Sequence, residues 1–315
     1  MMKPEDAFTI LQAADRIGKG LIVPLVTPFT ADGQAVDFAA LRRLVEFLIR
    51  SGVHGLVPCG TTGELALLDS REKRQIVEAV IEDAAGRVPV IAQTGSITTA
   101  ETIALTRHAQ ACGAAGVTVV TPYYYRLTDE ALVAHYSAVA DSVPGLPVFL
   151  YNIPAKTGNS LSPAVVAQIA QRCANVVGIK DSSGELANLA LMRMAVNRRF
   201  YTLVGSDSLI LAGMANGADG AIAGNANAIP EPFVAMFAAL AEGDWAKARL
   251  LQDQITSATR ILGNGSDLSL FKGVLKRRGL PVGPVRRPLL TATPGETERC
   301  ARELEAIGLS LSRIT

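Results

Sequence analysis

Asn175-Val176-Val177-Gly178-Ile179-Lys180 is the stretch on which the fold turns. It is a short, almost continuously apolar run that stops at a lysine, and a helical pattern follows over 185–197. Continuous apolarity over so few residues is what a strand buried on both faces needs, and a two-faced burial is characteristic of parallel sheets under helices.

The same unit recurs on either side. Upstream, apolar runs fall at 148–151, 116–120, 88–93, 55–58 and 20–26. Their helical patterns follow at 162–172, 128–142, 98–112, from Ser70, and at 37–51. In that last helix Asp37 stands at the N-cap, and Leu41, Leu44, Val45 and Leu48 keep the 3.6 period. Downstream, runs at 201–205 and 220–223 precede helices at 207–216 and from about Ile229. The result is an alternation of eight strand–helix units, which predicts an α/β fold with a parallel sheet. Its size, about 240 residues, is that of a (β/α)8 TIM barrel. A doubly wound open sheet is the runner-up, but it calls for a glycine-rich turn after the first strand. That position reads Val26-Thr27-Pro28-Phe29.

The organisation expected is an N-terminal extension over 1–19 with a helix at 4–17, the barrel over 20–240, and a C-terminal helical region over 241–315 packed on it. Helices at 244–262, 268–278 and 296–307 make up that region, broken by 263–266 and by the proline-rich 281–288.

Composition narrows the function. Aromatic residues are 5% of the chain, so Ala, Val, Leu and Ile fill the core. The formal net charge is +1 with both signs interspersed, so no basic stripe points to nucleic acid. Apolar runs are too short to span a bilayer, and Lys3, Glu5, Asp6, Asp15 and Arg16 interrupt any signal-peptide core. Cys59, Cys112, Cys173 and Cys300 form no CxxC pair, and with three histidines no metal-ligand spacing emerges. A cytoplasmic protein with no metal and no cofactor is the expectation.

In such barrels chemistry gathers at the C-terminal ends of the strands. Those ends hold Gly60-Thr61-Thr62-Gly63-Glu64, Thr121-Pro122-Tyr123-Tyr124, Tyr151-Asn152, Lys180-Asp181, Gly205-Ser206 and Gly224-Asn225. A lysine in an aliphatic mouth is desolvated, which disfavours the ammonium and favours an amine able to attack a ketone. The bland alternative is a salt-bridged or snorkelling lysine. A phenol at Tyr151 can relay protons, or simply pack with its hydroxyl satisfied. The threonines of the glycine-flanked turn can offer hydroxyls and N–H groups to a small carboxylate, or form an ordinary βα turn.

Together, Gly60–Glu64, Thr121–Tyr124, Tyr151-Asn152-Ile153-Pro154 and Gly178-Ile179-Lys180-Asp181 make the chain resemble the dihydrodipicolinate synthase/N-acetylneuraminate lyase family over about residues 20–310. The resemblance implies a (β/α)8 barrel, a homotetramer built as a dimer of dimers, and a class I lyase that needs no cofactor. It implies that Lys180 forms the imine with pyruvate or another 2-oxo acid. Tyr151 would be the general acid/base, hydrogen-bonded to Thr61, with Tyr124 completing the relay in a neighbouring subunit. Thr61 and Thr62, in the turn that Gly60 opens, would hold the pyruvate carboxylate, with Gly205 and the carbonyl of Ile222 beside the pocket.

The resemblance is imperfect after the fifth strand. Synthases of this family usually place an arginine there for the carboxylate of aspartate semialdehyde, and this chain has Lys156. Lysine keeps the charge without the planar fork. Lys156 is then a looser carboxylate ligand, a contact for sugar-acid hydroxyls, or a solvated loop residue. On that departure the expected substrate is a 2-keto-3-deoxy sugar acid or related 4-hydroxy-2-oxo acid, with poor turnover of aspartate semialdehyde. True 4-hydroxy-tetrahydrodipicolinate synthase is the alternative. The positions that would answer to a lysine-feedback site read Ser70, Lys73 and Ile97, with Glu101 and Tyr123 still matching, so no lysine inhibition is expected. Two rivals stand further off: a phosphate- or flavin-binding barrel using the glycines near 205 and 224, and a non-catalytic 2-oxo acid binding protein.

Overall fold

The computed structural model describes residues 4–314. Of the expected extension over 1–19, residues from Pro4 on are described; its first three residues, and Thr315 in the expected C-terminal region, lie outside the described residues.

Elements alternate as the sequence pattern requires. Helix α1 (Pro4–Ile17) precedes β1 (Gly20–Pro24), α2 (Phe38–Arg50), β2 (Gly55–Val57), α3 (Ser70–Ala84), β3 (Ile91–Gln93) and α4 (Thr99–Ala111). Next come β4 (Gly116–Val120), α5 (Asp129–Asp141), β5 (Val148–Asn152), the short α6 (Pro154–Thr157), α7 (Pro163–Arg172), β6 (Val176–Asp181) and α8 (Leu186–Met194). The chain continues through β7 (Tyr201–Val204), α9 (Ile210–Ala215), β8 (Gly220–Ile222), α10 (Pro230–Ala241), α11 (Trp245–Ile261), α12 (Leu268–Arg277) and α13 (Pro294–Ala306). The eight strands form one sheet in the order β2-β1-β8-β7-β6-β5-β4-β3, the cyclic order of a (β/α)8 barrel.

Helix starts are set by side chains. Asp37, Thr98, Thr128 and Ser162 each accept a hydrogen bond from the first-turn N–H three residues on, and Asp69 with Glu72 closes a capping box. Two expected boundaries shift for local reasons. The third strand begins at Ile91 rather than Val88, because Pro89 has no N–H for a ladder. The helix expected over 207–216 begins as a 3-10 turn, Asp207–Leu209, before α9.

Two compact units make up the chain. Unit 1 comprises Met1–Gly20 and Pro89–Ile222. Its strands β4 to β7 are fully buried and pair in register, with Val120 opposite Tyr151, Tyr151 opposite Lys180, and Lys180 opposite Leu203. Helix α1 packs here through Ile10, Ala14 and Ile17, all nearly inaccessible, and Tyr201 donates its hydroxyl to Asp15 at 2.9 Å. Asn175 and Arg198 side chains satisfy carbonyls that the helices leave open: Asn175 those of Ala140 and Val143, Arg198 those of Ala170 and Cys173.

Unit 2 comprises Leu21–Val88 and Ala223–Thr315. It joins β1, β2, α2 and α3 to the C-terminal helices. The Asn227 side chain ties the two sequence halves together, accepting from Val26 N at 3.0 Å and donating to Pro24 O at 2.8 Å. Arg278, almost fully buried, donates to Ala228 O at 2.7 Å and pairs with Glu231.

Candidate active site

Lys180 is the next-to-last residue of β6 and, like Asp181 after it, is buried. Its Nζ lies 4.1 Å from the centroid of the Tyr151 ring, on the neighbouring strand β5. Both are register partners in a parallel pair, so they project from the same face of the sheet. Tyr151 is also buried.

The next residues hold this pair in place. Asn152 donates to Asp181 Oδ1 at 2.7 Å, and Ser183 Oγ donates to Asp181 Oδ2 at 2.6 Å. Asn152 Oδ1 in turn accepts from Leu161 N at 3.0 Å. The buried Asp181 carboxylate is thus satisfied by two neighbouring side chains, fixing the end of β6 next to Lys180.

Gly205, at the end of β7, donates to Asp181 O at 2.7 Å. A Cβ there would sit 2.0 Å from Ser182 Oγ and 3.0 Å from Lys180 Cε. Glycine at 205 therefore leaves the space the lysine side chain occupies. Ile222 closes β8 and is buried.

Two loops of unit 1 carry the remaining candidates. Tyr124 has a left-handed backbone, φ +84°, and is 85% exposed, its ring stacked edge-on against Tyr125. Tyr123 is more sheltered, and burial pushes its phenol up. Lys156 sits exposed on α6, a turn where the sequence pattern gave only a loop.

Unit 2 carries the threonine turn. Gly63 N donates to Gly60 O at 3.0 Å and Glu64 N to Thr61 O at 3.1 Å, closing a tight turn that leaves Thr61 and Thr62 partly exposed. A Cβ at Gly63 would meet Leu25 O at 2.8 Å, so only glycine fits. Thr27 Oγ1 donates to Gly63 O at 2.6 Å. A Cβ at Gly224 would lie 3.3 Å from Thr62 Oγ1.

Beneath this turn lies a group of charges whose partners are far apart in sequence. Glu64 has left-handed backbone geometry and a fully buried carboxylate. Lys272 Nζ of α12 reaches it at 2.6 Å, and Arg286 N donates to its other oxygen at 2.8 Å. Lys272 Nζ also donates to Pro284 O at 2.8 Å, and burial pulls its amine down to about 8 against the pull of Glu64. Arg286 pairs with both oxygens of Glu72 at 2.7 Å, which raises its pKa further. The phenyl ring of Phe29 lies under both cations, 4.4 Å from Lys272 Nζ and 4.2 Å from the Arg286 guanidinium.

Away from these ends, His108 Nε2 in the last turn of α4 lies 3.5 Å from Sγ of Cys112, the residue that caps the helix.

Comparison with known proteins places this arrangement. The model of the dihydrodipicolinate synthetase family matches residues 18–307. A 4-hydroxy-tetrahydrodipicolinate synthase of Rhizobium meliloti is 41% identical over 293 residues, 93% of this chain and 99% of the relative. The crystal structure of dihydrodipicolinate synthase from Aquifex aeolicus superposes with a TM-score of 0.87 at 33% identity, covering 92% of this chain and 98% of that one. YagE, a prophage protein of the dihydrodipicolinic acid synthase family from E. coli K12 solved with pyruvate, gives a TM-score of 0.87 at 34% identity, covering 93% and 99%. The chain belongs to the dihydrodipicolinate synthetase family, class I lyases and synthases that work through a lysine Schiff base.

Proposed function

We propose that this protein condenses pyruvate with aspartate semialdehyde, the reaction after which its 4-hydroxy-tetrahydrodipicolinate synthase relatives are named. The observation that carries the chemistry is the buried Lys180 amine beside the Tyr151 ring. Lys180 Nζ attacks C2 of pyruvate, and loss of water gives the imine. Removal of a methyl proton gives the enamine, whose carbon adds to the aldehyde. Tyr151 is the acid and base for these transfers, with Thr61 and Tyr124 as its relay. Thr61 and Thr62, with Gly60, receive the pyruvate carboxylate. Gly205 and Ile222 border the amine, and Lys156 meets the carboxylate of the aldehyde substrate. The exposed Tyr124 supports a homotetramer in which it serves a neighbouring subunit.

The substrate first expected from sequence, a 2-keto-3-deoxy sugar acid, becomes the second reading. Lys156, where an arginine is usual, favours it. Near-complete coverage of relatives named as the synthase favours the first. No helix among the described residues is long and apolar enough to cross a membrane, and we place the enzyme in the cytoplasm with its biosynthetic relatives. Millimolar L-lysine is expected to leave the rate unchanged.

The test is borohydride reduction in the presence of pyruvate, peptide mapping, and then kinetics on a panel of aldehydes and keto-deoxy acids. A reduced adduct on Lys180 with kcat/KM highest for aspartate semialdehyde is expected. An adduct on Lys156 would reverse the lysines, and faster cleavage of a keto-deoxy acid would establish the second reading.

A further inference from the structure

The Asn159 side chain makes three hydrogen bonds to a neighbouring loop. The residue is 4% exposed. Nδ2 donates to Pro122 O and to Tyr125 O, both at 2.8 Å, and Oδ1 accepts from Leu127 N at 2.9 Å. All three partners are backbone atoms of the loop at 121–128, which holds Tyr124 in its left-handed conformation. Asn159 itself belongs to the segment that follows α6 and Lys156. Two more bonds span the same gap: Arg126 Nη1 donates to Gly158 O at 2.6 Å, and Thr121 Oγ1 donates to Thr157 Oγ1 at 2.9 Å.

An amide has two donor hydrogens and an accepting oxygen, and here each has a partner. An aliphatic side chain at 159 would leave two carbonyls and an N–H without theirs. The two loops are thus locked into one body through this residue. The geometry points to Asn159 as a positioning residue: it fixes where Lys156 stands relative to the Tyr124 turn, and so sets recognition of the aldehyde substrate. This rests on the reading of Lys156 as the ligand of that substrate's carboxylate.

The experiment is steady-state kinetics on Asn159→Ala, Lys156→Ala, the double variant and Arg126→Ala, with separate KM values for pyruvate and aspartate semialdehyde. Asn159→Ala should raise KM for the aldehyde about tenfold, a loss of about 1.4 kcal/mol, and leave that for pyruvate within about twofold. In the Lys156→Ala background it should add nothing, because the residue acts through Lys156. A general structural role would instead add in both backgrounds and raise both KM values, which would overturn the proposal. If Lys156→Ala raises the aldehyde KM and Asn159→Ala does not, the proposal fails and the proposed function stands. If Lys156→Ala itself changes nothing, the role of Lys156 fails and takes this proposal with it. Should Asn159→Ala not fold, Arg126→Ala removes a latch bond from an exposed side chain. It should raise the aldehyde KM about threefold, and an unchanged value would overturn the proposal.

Discussion

Lys180 and Tyr151 are register partners on adjacent parallel strands, and the lysine Nζ lies 4.1 Å from the tyrosine ring centroid. Sheet register, unbroken from the Phe149–Gly178 pair to the Asn152–Asp181 pair, therefore sets the spacing of amine and phenol. No loop has to close to bring the two together.

Removing the phenol should hurt chemistry more than binding. Tyr151→Phe keeps the ring beside Lys180 and deletes the proton donor. We expect kcat to fall about 10²- to 10³-fold, with slower borohydride trapping of pyruvate and little change in its KM. A variant with full kcat would take Tyr151 out of the mechanism.

Gly205 tests the space around the amine. Its added Cβ would meet Asp181 O at 2.9 Å as well as Ser182 Oγ at 2.0 Å. Serine can turn away, but the carbonyl belongs to the strand. Gly205→Ala should fold and lose on the order of 10²-fold in kcat/KM, the effect expected when a reacting group is displaced by about 1 Å. Trapping on Lys180 as fast as in the parent would contradict this.

The Glu64–Lys272 pair predicts a stability result. Breaking a buried ion pair from one side strands the other charge, at a cost of about 3–5 kcal/mol. Lys272→Met should therefore lower the urea midpoint strongly. Replacing both residues with apolar ones of similar size should recover most of the loss. A single variant within about 1 kcal/mol of the parent would mean that the pair does not hold the turn.

His135 predicts an acid limb. It is buried, accepts or donates at Nδ1 with Thr99 at 2.9 Å, and burial pulls its pKa from 6.5 down to about 4. The unfolded chain takes up this proton near pH 6.5, and the folded chain refuses it until about pH 4. Between those values the unfolded state binds more protons, so stability falls as pH drops through the window and is fully present above it. His135→Gln should flatten that part of the stability–pH curve by up to about 3 kcal/mol. Equal slopes in parent and variant from pH 7 to 4.5 would rule His135 out as the cause.

The barrel was legible because its determinants are local. Apolar runs such as Val176–Ile179, caps such as Asp37 and Thr128, and residues at strand ends all act within a few positions. The same locality brought out Lys180, Tyr151 and the threonine turn, since each sits where its own strand stops. What could not be read depends on distant partners. Nothing near Glu64 shows that its counter-ion comes from Lys272, and nothing near Asn159 shows that its amide fits carbonyls about 35 residues upstream. Alpha6 was missed because a Pro-Ala-Lys-Thr tetrapeptide is too short for periodicity to register. The substrate is a different matter. Lys156 alone argues against aspartate semialdehyde, and the proposed reading rests on similarity over nearly the whole chain to relatives named as the synthase.

The Glu64–Lys272 contact spans 208 residues, and that span has a meaning in time. A ribosome adding roughly 5–20 residues per second makes the glutamate some 10–40 s before its lysine. Through that interval the threonine turn has no cation beneath it, although the segment bearing Lys180 and Tyr151 is already emerging. A nascent chain released before α12 would leave the Glu64 carboxylate without its lysine. Closure of the ion pair under the Glu64 turn is thereby tied to synthesis of α12.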